Sequence, residues 1–383
     1  MQKFKKIVFC LFSAIVCVSL LFSHTLFISN NIVLAVDTIT QKCLCVRDNP
    51  IKSLINLLFN SGSTDDAGRD DKAVEVFVGG IPLGFALSCN GAIIVGVGSV
   101  TTINGEEIPT KNAQIKSGDI LYKIEDHIVT SALMIEELIN DREYAGKEIN
   151  VVIIRNGQMF QTTLYPALDK VTQKYRLGLW IRDDSAGVGT LSYIRTDNKR
   201  FGALGHPVCD IDTGSILPIS SGSIYSCDII GVKKGERGSA GELKGLFLRG
   251  GQQLGVLDNN TAFGVFGQID EKKLINLPLK KTTIANKKEI KMGNATILTT
   301  VDGQTPEEFN IDIVKINAFA SDGKNMVIRI TDQRLIDKTG GIVQGMSGSP
   351  ILQNGKMIGV VTHVFVTDPT KGFASFVGNM IDS

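Results

Sequence analysis

The sequence predicts a mainly β chain with two folded units, a small α+β unit followed by a larger all-β one. Three observations carry this. Apolar residues come in short runs separated by Gly and Asn/Asp turns, with 40 Gly and 10 Pro in 383 residues. In the folded region, one stretch, 131–140, places Leu133, Met134, Glu137 and Leu138 on a helical period. The composition is globular, with 43% hydrophobic and 21% charged residues. The charge balance, 40 basic against 39 acidic residues, argues against a nucleic-acid partner, because phosphate binding needs clustered excess charge.

Taken in order, residues 1–36 open with Lys3, Lys5 and Lys6 ahead of an apolar run from 7 to 22. The run continues through Leu26, Phe27, Ile28, Ile32, Val33 and Leu34. A basic segment followed by an apolar one is a secretory signal or signal anchor, so the remainder is expected outside the cytoplasm. Residues 37–72 are a flexible linker; from Asn60 to Asp71 it is rich in Gly, Ser and Asp and buries little. Such a tether is open to proteolysis.

The third segment, 73–168, has short β runs at 74–78, 92–97, 119–124 and 149–154, with the helix at 131–140 behind a Thr130/Ser131 cap. Arg155-Asn156-Gly157-Gln158 is a hairpin turn, and the pattern closes at 164–166. The fourth segment, 169–383, has runs at 177–181, 190–194, 215–219, 228–232, 264–269, 295–300, 309–314, 326–330 and 358–366, which reads as a sandwich or barrel. Seven cysteines are too few for a disulfide scaffold, although Cys209 and Cys227 could pair. Four histidines, with neither CxxC nor HExxH, point to no metal and no cofactor.

The sharpest motif is Gly345-Met346-Ser347-Gly348-Ser349-Pro350-Ile351. Glycines around a serine let the N–H groups of Gly345 and Ser347 converge as an oxyanion hole. A strand and an Asn354-Gly355 hairpin follow. This resembles the nucleophile loop of trypsin-like serine peptidases. Ser347 is the nucleophile and Ser349 its competitor. The base is expected at His206, which precedes the serine among small residues; His363 is the rival. His24 lies in the leader, and His127 in a turn of the α+β unit. Candidates for the acid are Asp210, Asp212, Asp228, Asp258 and Asp332. Asp332 follows the run at 326–330, and its competing role is the N-cap of a short helix from Gln333.

Two family resemblances rest on these residues. Gly80-Ile81-Pro82-Leu83-Gly84-Phe85 and Ser117-Gly118-Asp119-Ile120 resemble the carboxylate loop and Gly-Asp strand of a PDZ domain. That resemblance implies peptide binding at Leu83, Gly84 and Phe85. Gly178-Leu179-Trp180-Ile181-Arg182-Asp183, Gly202-Ala203-Leu204-Gly205-His206, 339–344 and Thr362-His363-Val364-Phe365 resemble the SpoIVB peptidase family of sporulating bacteria. This second resemblance implies a PDZ domain followed by a trypsin-like double β-barrel, with His206, Asp332 and Ser347 as the triad. It also implies export, with the N terminus anchored, into the space between forespore and mother-cell membranes. There the enzyme would cut itself and then a membrane-bound regulator, so that an intramembrane protease activates the mother-cell sigma factor. After Phe373 the chain departs from the family pattern and shows no clear terminal helix. Two alternatives are an HtrA-like quality-control protease and an inactive PDZ adaptor.

Overall fold

The computed structural model describes residues 74–248, 251–275 and 277–383, without the side chains of 90, 183 and 184. The leader and the linker lie outside the described residues. Among those described, no helix is long and apolar enough to cross a membrane.

Six antiparallel strands form the first barrel. In spatial order they are Pro82–Val97, Leu179–Arg195, Arg200–Ala203, Gly264–Ile269, Gln253–Thr261 and Ile219–Ser226, which pairs back onto the first. Alternation fills it: Leu83, Phe85 and Leu87 point inward from one strand and meet Leu191, Phe201, Ile224 and Val265. Pro82–Val97 and Leu179–Arg195 are longer than ordinary strands because each serves two bodies. Their halves at 82–89 and 184–190 pair in the barrel. Their halves at 93–97 and 179–182 pair in the α+β unit, across register shifts at Trp180/Ile181 and Arg182/Asp184.

The α+β unit adds Ile120–Ile124, Ile149–Arg155 and Gln158–Leu164 to that shared edge. Helix Ala132–Ile139 buries Ile135 and Ile139 against it and is capped by the Ser131 hydroxyl, which accepts the Met134 N–H. The turn at Asn156-Gly157 has positive φ at both residues, 51° and 78°, as a two-residue hairpin requires. The expected runs and the helix are present here, but the boundary at 168/169 does not separate the sheets. Strands before the unit and strands after it complete the same barrel, a long-range pairing that no local pattern encodes. The same pairing corrects the expected peptide site. Leu83, Gly84 and Phe85 lie in a central strand bonded on both sides, to 187–189 and to 224–226. Leu83 and Phe85 are core residues, and a Cβ at Gly84 would strike the Phe247 ring at 2.1 Å. No strand edge is open there for an added peptide.

The second barrel is contiguous in sequence: Gly293–Thr299, Glu307–Ile316, Met326–Ile330, Lys371–Phe376, Lys356–Val364 and Pro350–Gln353 close in that spatial order. Phe309, Ile311 and Ile313 alternate inward with Asn310 and Asp312 between them. The chain end supplies a wall after all: Lys371–Phe376 closes the barrel, and a short helix, Val377–Ile381, follows. Val78, Tyr193, Phe266, Leu352, Val360 and Met380 pack between the barrels, and the Tyr193 hydroxyl donates to the Met380 carbonyl at 3.1 Å. Burying each such large apolar side chain contributes about 1.5–3 kcal/mol, so the two barrels hold one geometry.

Candidate active site

Ser347 sits on a loop shaped by left-handed backbone that glycine alone adopts readily. Gly345 and Gly348 have φ of 95° and 94°. The first barrel grips this loop: Thr190 donates its hydroxyl to the Gly345 carbonyl at 2.7 Å and its N–H to the Ser347 carbonyl at 3.1 Å. Gly348 lies so close that a Cβ would stand 2.3 Å from the Thr190 carbonyl oxygen and 2.5 Å from the Leu204 nitrogen. Leu204 and Gly205 then turn the chain through two successive left-handed residues, φ 71° and 72°, and deliver His206 beside strand Lys356–Val364.

The Ser347 hydroxyl donates to the Thr362 carbonyl at 2.7 Å. The N–H groups of Gly345 and Ser347 donate to no described residue, whereas those of Gln344, Met346, Gly348 and Ser349 all do. Two unspent donors beside a serine are what an oxyanion hole requires. Ser349 is fully buried and donates to the Thr299 hydroxyl at 2.9 Å, which makes it a packing residue.

The half-buried His206 ring has Nδ1 at 2.8 Å from the Pro207 carbonyl. A carbonyl only accepts, so Nδ1 carries the proton and Nε2 keeps a lone pair for a base. Burial holds its pKa below the ordinary histidine value, opposed by the Pro207 hydrogen bond. The His363 ring centroid is 5.1 Å away. Burial, then His206 and Lys324, push the His363 pKa down to about 3, so it is neutral at working pH. Its Nδ1 is buried without a hydrogen-bond partner among the described residues.

The structure does not bring Asp332 to His206. Asp332 caps helix Gln333–Thr339: Oδ1 accepts from the backbone N–H and Nε of Arg334, and Oδ2 from the Asn310 N–H and Arg334 Nη2. The Arg334 hydrogen bonds hold its carboxyl below the usual carboxylate range. It belongs to the same barrel as Ser347, whereas His206 belongs to the other. The ring's orienting partner here is the Pro207 carbonyl. Of the other candidates, Asp258 pairs with Arg200 on the surface, Asp228 is exposed, and Asp210 and Asp212 both meet Arg182. Cys209 and Cys227 form no disulfide.

Thr190, the Pro207 carbonyl and Asn260 were not visible to sequence reasoning. Asn260 accepts the Val208 N–H at 2.9 Å and donates to the carbonyls of Val208 and Leu217 at 2.8 and 2.9 Å, which fixes the chain just after His206. Its only signal is an amide in the polar stretch Asp258-Asn259-Asn260, which most surface turns share.

No curated protein matches the chain. The chain is similar in structure to the active form of the Rv3671c protease from M. tuberculosis, at 16% identity and a TM-score of 0.29, over 52% of this chain and 72% of that one. It is also similar to the inactive form of a serine-to-alanine mutant of the same H37Rv protein, at 15% identity and a TM-score of 0.29, over 52% and 79%. Similarity at that level carries no conclusion. The SpoIVB peptidase S55 family matches residues 173–381, more than half of the chain and all of the Ser347 and His206 loops. The chain belongs to the SpoIVB peptidase S55 family of serine peptidases.

Proposed function

We propose that this protein is an exported serine endopeptidase of sporulation signalling, which cuts its own linker between Cys43 and Asp71 and then a membrane-bound regulator of an intramembrane protease. One observation supports the catalytic part: Gly348, next to Ser347, packs against Leu204, two residues before His206, where the two barrels meet. In the reaction, the Ser347 hydroxyl turns from the Thr362 carbonyl toward His206 Nε2. Oγ attacks the scissile carbonyl as its proton passes to Nε2. The developing oxyanion is taken by the Gly345 and Ser347 N–H groups. The imidazolium, held by the Pro207 carbonyl, then protonates the leaving amine, and water releases the acyl group by the reverse path. The family resemblance adds Asp332 as the acid; its bonds to Arg334 and Asn310 argue for a structural role instead. The α+β unit is read as PDZ-like, recruiting a peptide of the target.

The test is mass spectrometry of N termini after incubating wild-type protein and Ser347→Ala, beside labelling by a fluorophosphonate. New N termini within 43–71 and labelling at Ser347 are expected in the wild type only. The hydrogen bond from Ser347 to Thr362 favours one rival, an inactive adaptor. Absence of labelling in folded wild-type protein decides for that rival.

A further inference from the structure

The residues after His206 form a hairpin that leaves the first barrel. Leu217 N–H donates to the Val208 carbonyl at 3.0 Å, Cys209 bridges to Ile216, and Asp210 N–H donates to the Ser215 carbonyl at 2.9 Å. Asn260 clamps its base. The tip, 210–215, is held from elsewhere. Arg182 reaches it with a fork, Nη1 to Asp210 Oδ2 and Nη2 to Asp212 Oδ2, both at 2.7 Å. The Asp210 side chain is 1% exposed, and its other oxygen accepts the N–H groups of Asp212 and Thr213 at 3.0 and 2.9 Å. The carboxylate therefore locks the turn's backbone on one side and Arg182 on the other. Without the guanidinium, a buried charge would keep only backbone donors, and the turn would move to reach water.

Arg182 lies on the stretch 179–182 that pairs with 93–97 of the α+β unit. The same tip lies close to that unit at a second place. A Cβ at Gly118 would lie 3.8 Å from Thr213 Cβ and 3.9 Å from Ser215 Oγ, in van der Waals contact. Gly118 is held in turn by Asp119, whose carboxylate takes the Lys116 N–H at 2.8 Å and Arg155 Nε at 2.6 Å. A contiguous set of contacts thus runs from the α+β unit to the hairpin that begins at His206.

We propose that Arg182 is a positioning residue through which the α+β unit fixes the 208–217 hairpin, and with it the imidazole of His206. The inference rests on His206 being the base. It gives the Arg182 of the Gly178–Asp183 motif a task that no contact with Ser347 would explain. It also makes the α+β unit part of the catalytic frame. A displacement of about 1 Å in a catalytic group is enough to cost about 100-fold in rate.

The experiment measures kcat and KM on a small ester, with melting temperature, for Arg182→Ala, Arg182→Lys, Arg195→Ala and His206→Ala in the full chain. His206→Ala must be inactive; retained turnover there ends the base assignment itself. For Arg182→Ala the expected result is a kcat about 100-fold down with KM nearly unchanged. Lys keeps the charge but lacks the rigid planar fork that holds Asp210 and Asp212 at once, so Arg182→Lys should fall about tenfold while melting like the wild type. That variant decides the matter if Arg182→Ala fails to fold. Arg195→Ala loses an ion pair with Asp197 from the same strand and should stay within about twofold. Wild-type kcat in folded Arg182→Ala or Arg182→Lys, with His206→Ala dead, overturns the proposal.

Discussion

The two barrels are built from the same elements by opposite routes. The second is read off one continuous stretch, strand after strand from 293 to 376, and its turns are local. The first is assembled from pieces at 82–89, 184–203, 219–226 and 253–269, with the α+β unit interposed between the first two. Ser347, the proposed nucleophile, belongs to the continuous barrel, and His206, the proposed base, to the interrupted one. The chemistry therefore depends on how well the interrupted barrel is held. That holding is done by side chains from distant parts of the chain, namely Thr190, Asn260 and Arg182.

The largest expected effect follows at the seam. Gly348→Ala places a Cβ 2.3 Å from a backbone oxygen of the first barrel, at φ 94°. Gly355→Ala, at φ 78° in the second barrel's own hairpin, meets nothing within 4 Å. Both changes carry the left-handed cost of roughly 1–2 kcal/mol; only the first must also push the barrels apart. Denaturant unfolding should show Gly348→Ala the less stable by more than about 2 kcal/mol, with turnover lost. Equal stability of the two variants would mean that the seam is soft and that the barrels do not constrain each other.

The same contrast explains what was legible in the sequence. The Ser347 loop, the Asn354-Gly355 hairpin and the runs at 264–269, 309–314 and 326–330 were visible because turn residues and period-two alternation are local signals. His206 stands out by its small neighbours and its order before the serine. The strand at 82–89 was misread as a peptide loop. Gly84 and Phe85 satisfy a loop pattern, and nothing nearby announces pairing with residues about a hundred positions away. Strands Arg200–Ala203 and Gln253–Thr261 passed unnoticed because one is short and the other is dominated by Gly, Asp and Asn. The sequence is compatible with both roles of Asp332, and only the positions of Arg334 and Asn310 separate them.

A second effect comes from the histidines at the seam. In the unfolded chain, His363 takes a proton as pH falls below about 6.5. In the folded protein it does so only near pH 3. Between these values the unfolded state binds more protons, so stability falls as pH falls, by up to about 1.4 kcal/mol per pH unit for one such group. His206, also lowered by burial, contributes with the same sign. Stability measured by urea at pH 7, 6, 5 and 4 should decline, and His363→Phe should flatten the decline. An unchanged slope in the variant would show that His363 is not the group resisting the proton, and that the seam is wetter than its packing indicates.

The smallest expected effect lies wholly inside the continuous barrel. Asp332 caps helix Gln333–Thr339, steadies the Asn310 N–H of the neighbouring strand, and pairs with Arg334, whose side chain is 63% exposed. So exposed a partner adds little, and most of the contribution is the cap itself. Asp332→Ala should therefore lower stability by about 1 kcal/mol, and Asp332→Ser, which restores a capping oxygen, should recover most of it. The helix leads through Gly340, at φ 76°, into the nucleophile loop, so its first turn bears on Ser347 only through six further residues. Asp332→Ser also separates the two roles of the residue, because it keeps the cap and removes the carboxylate. If Ala and Ser destabilise equally, the cap is not what the carboxylate supplies. Its weight would then have to lie in the charge, and turnover of the folded Asp332→Ser protein would read that charge directly.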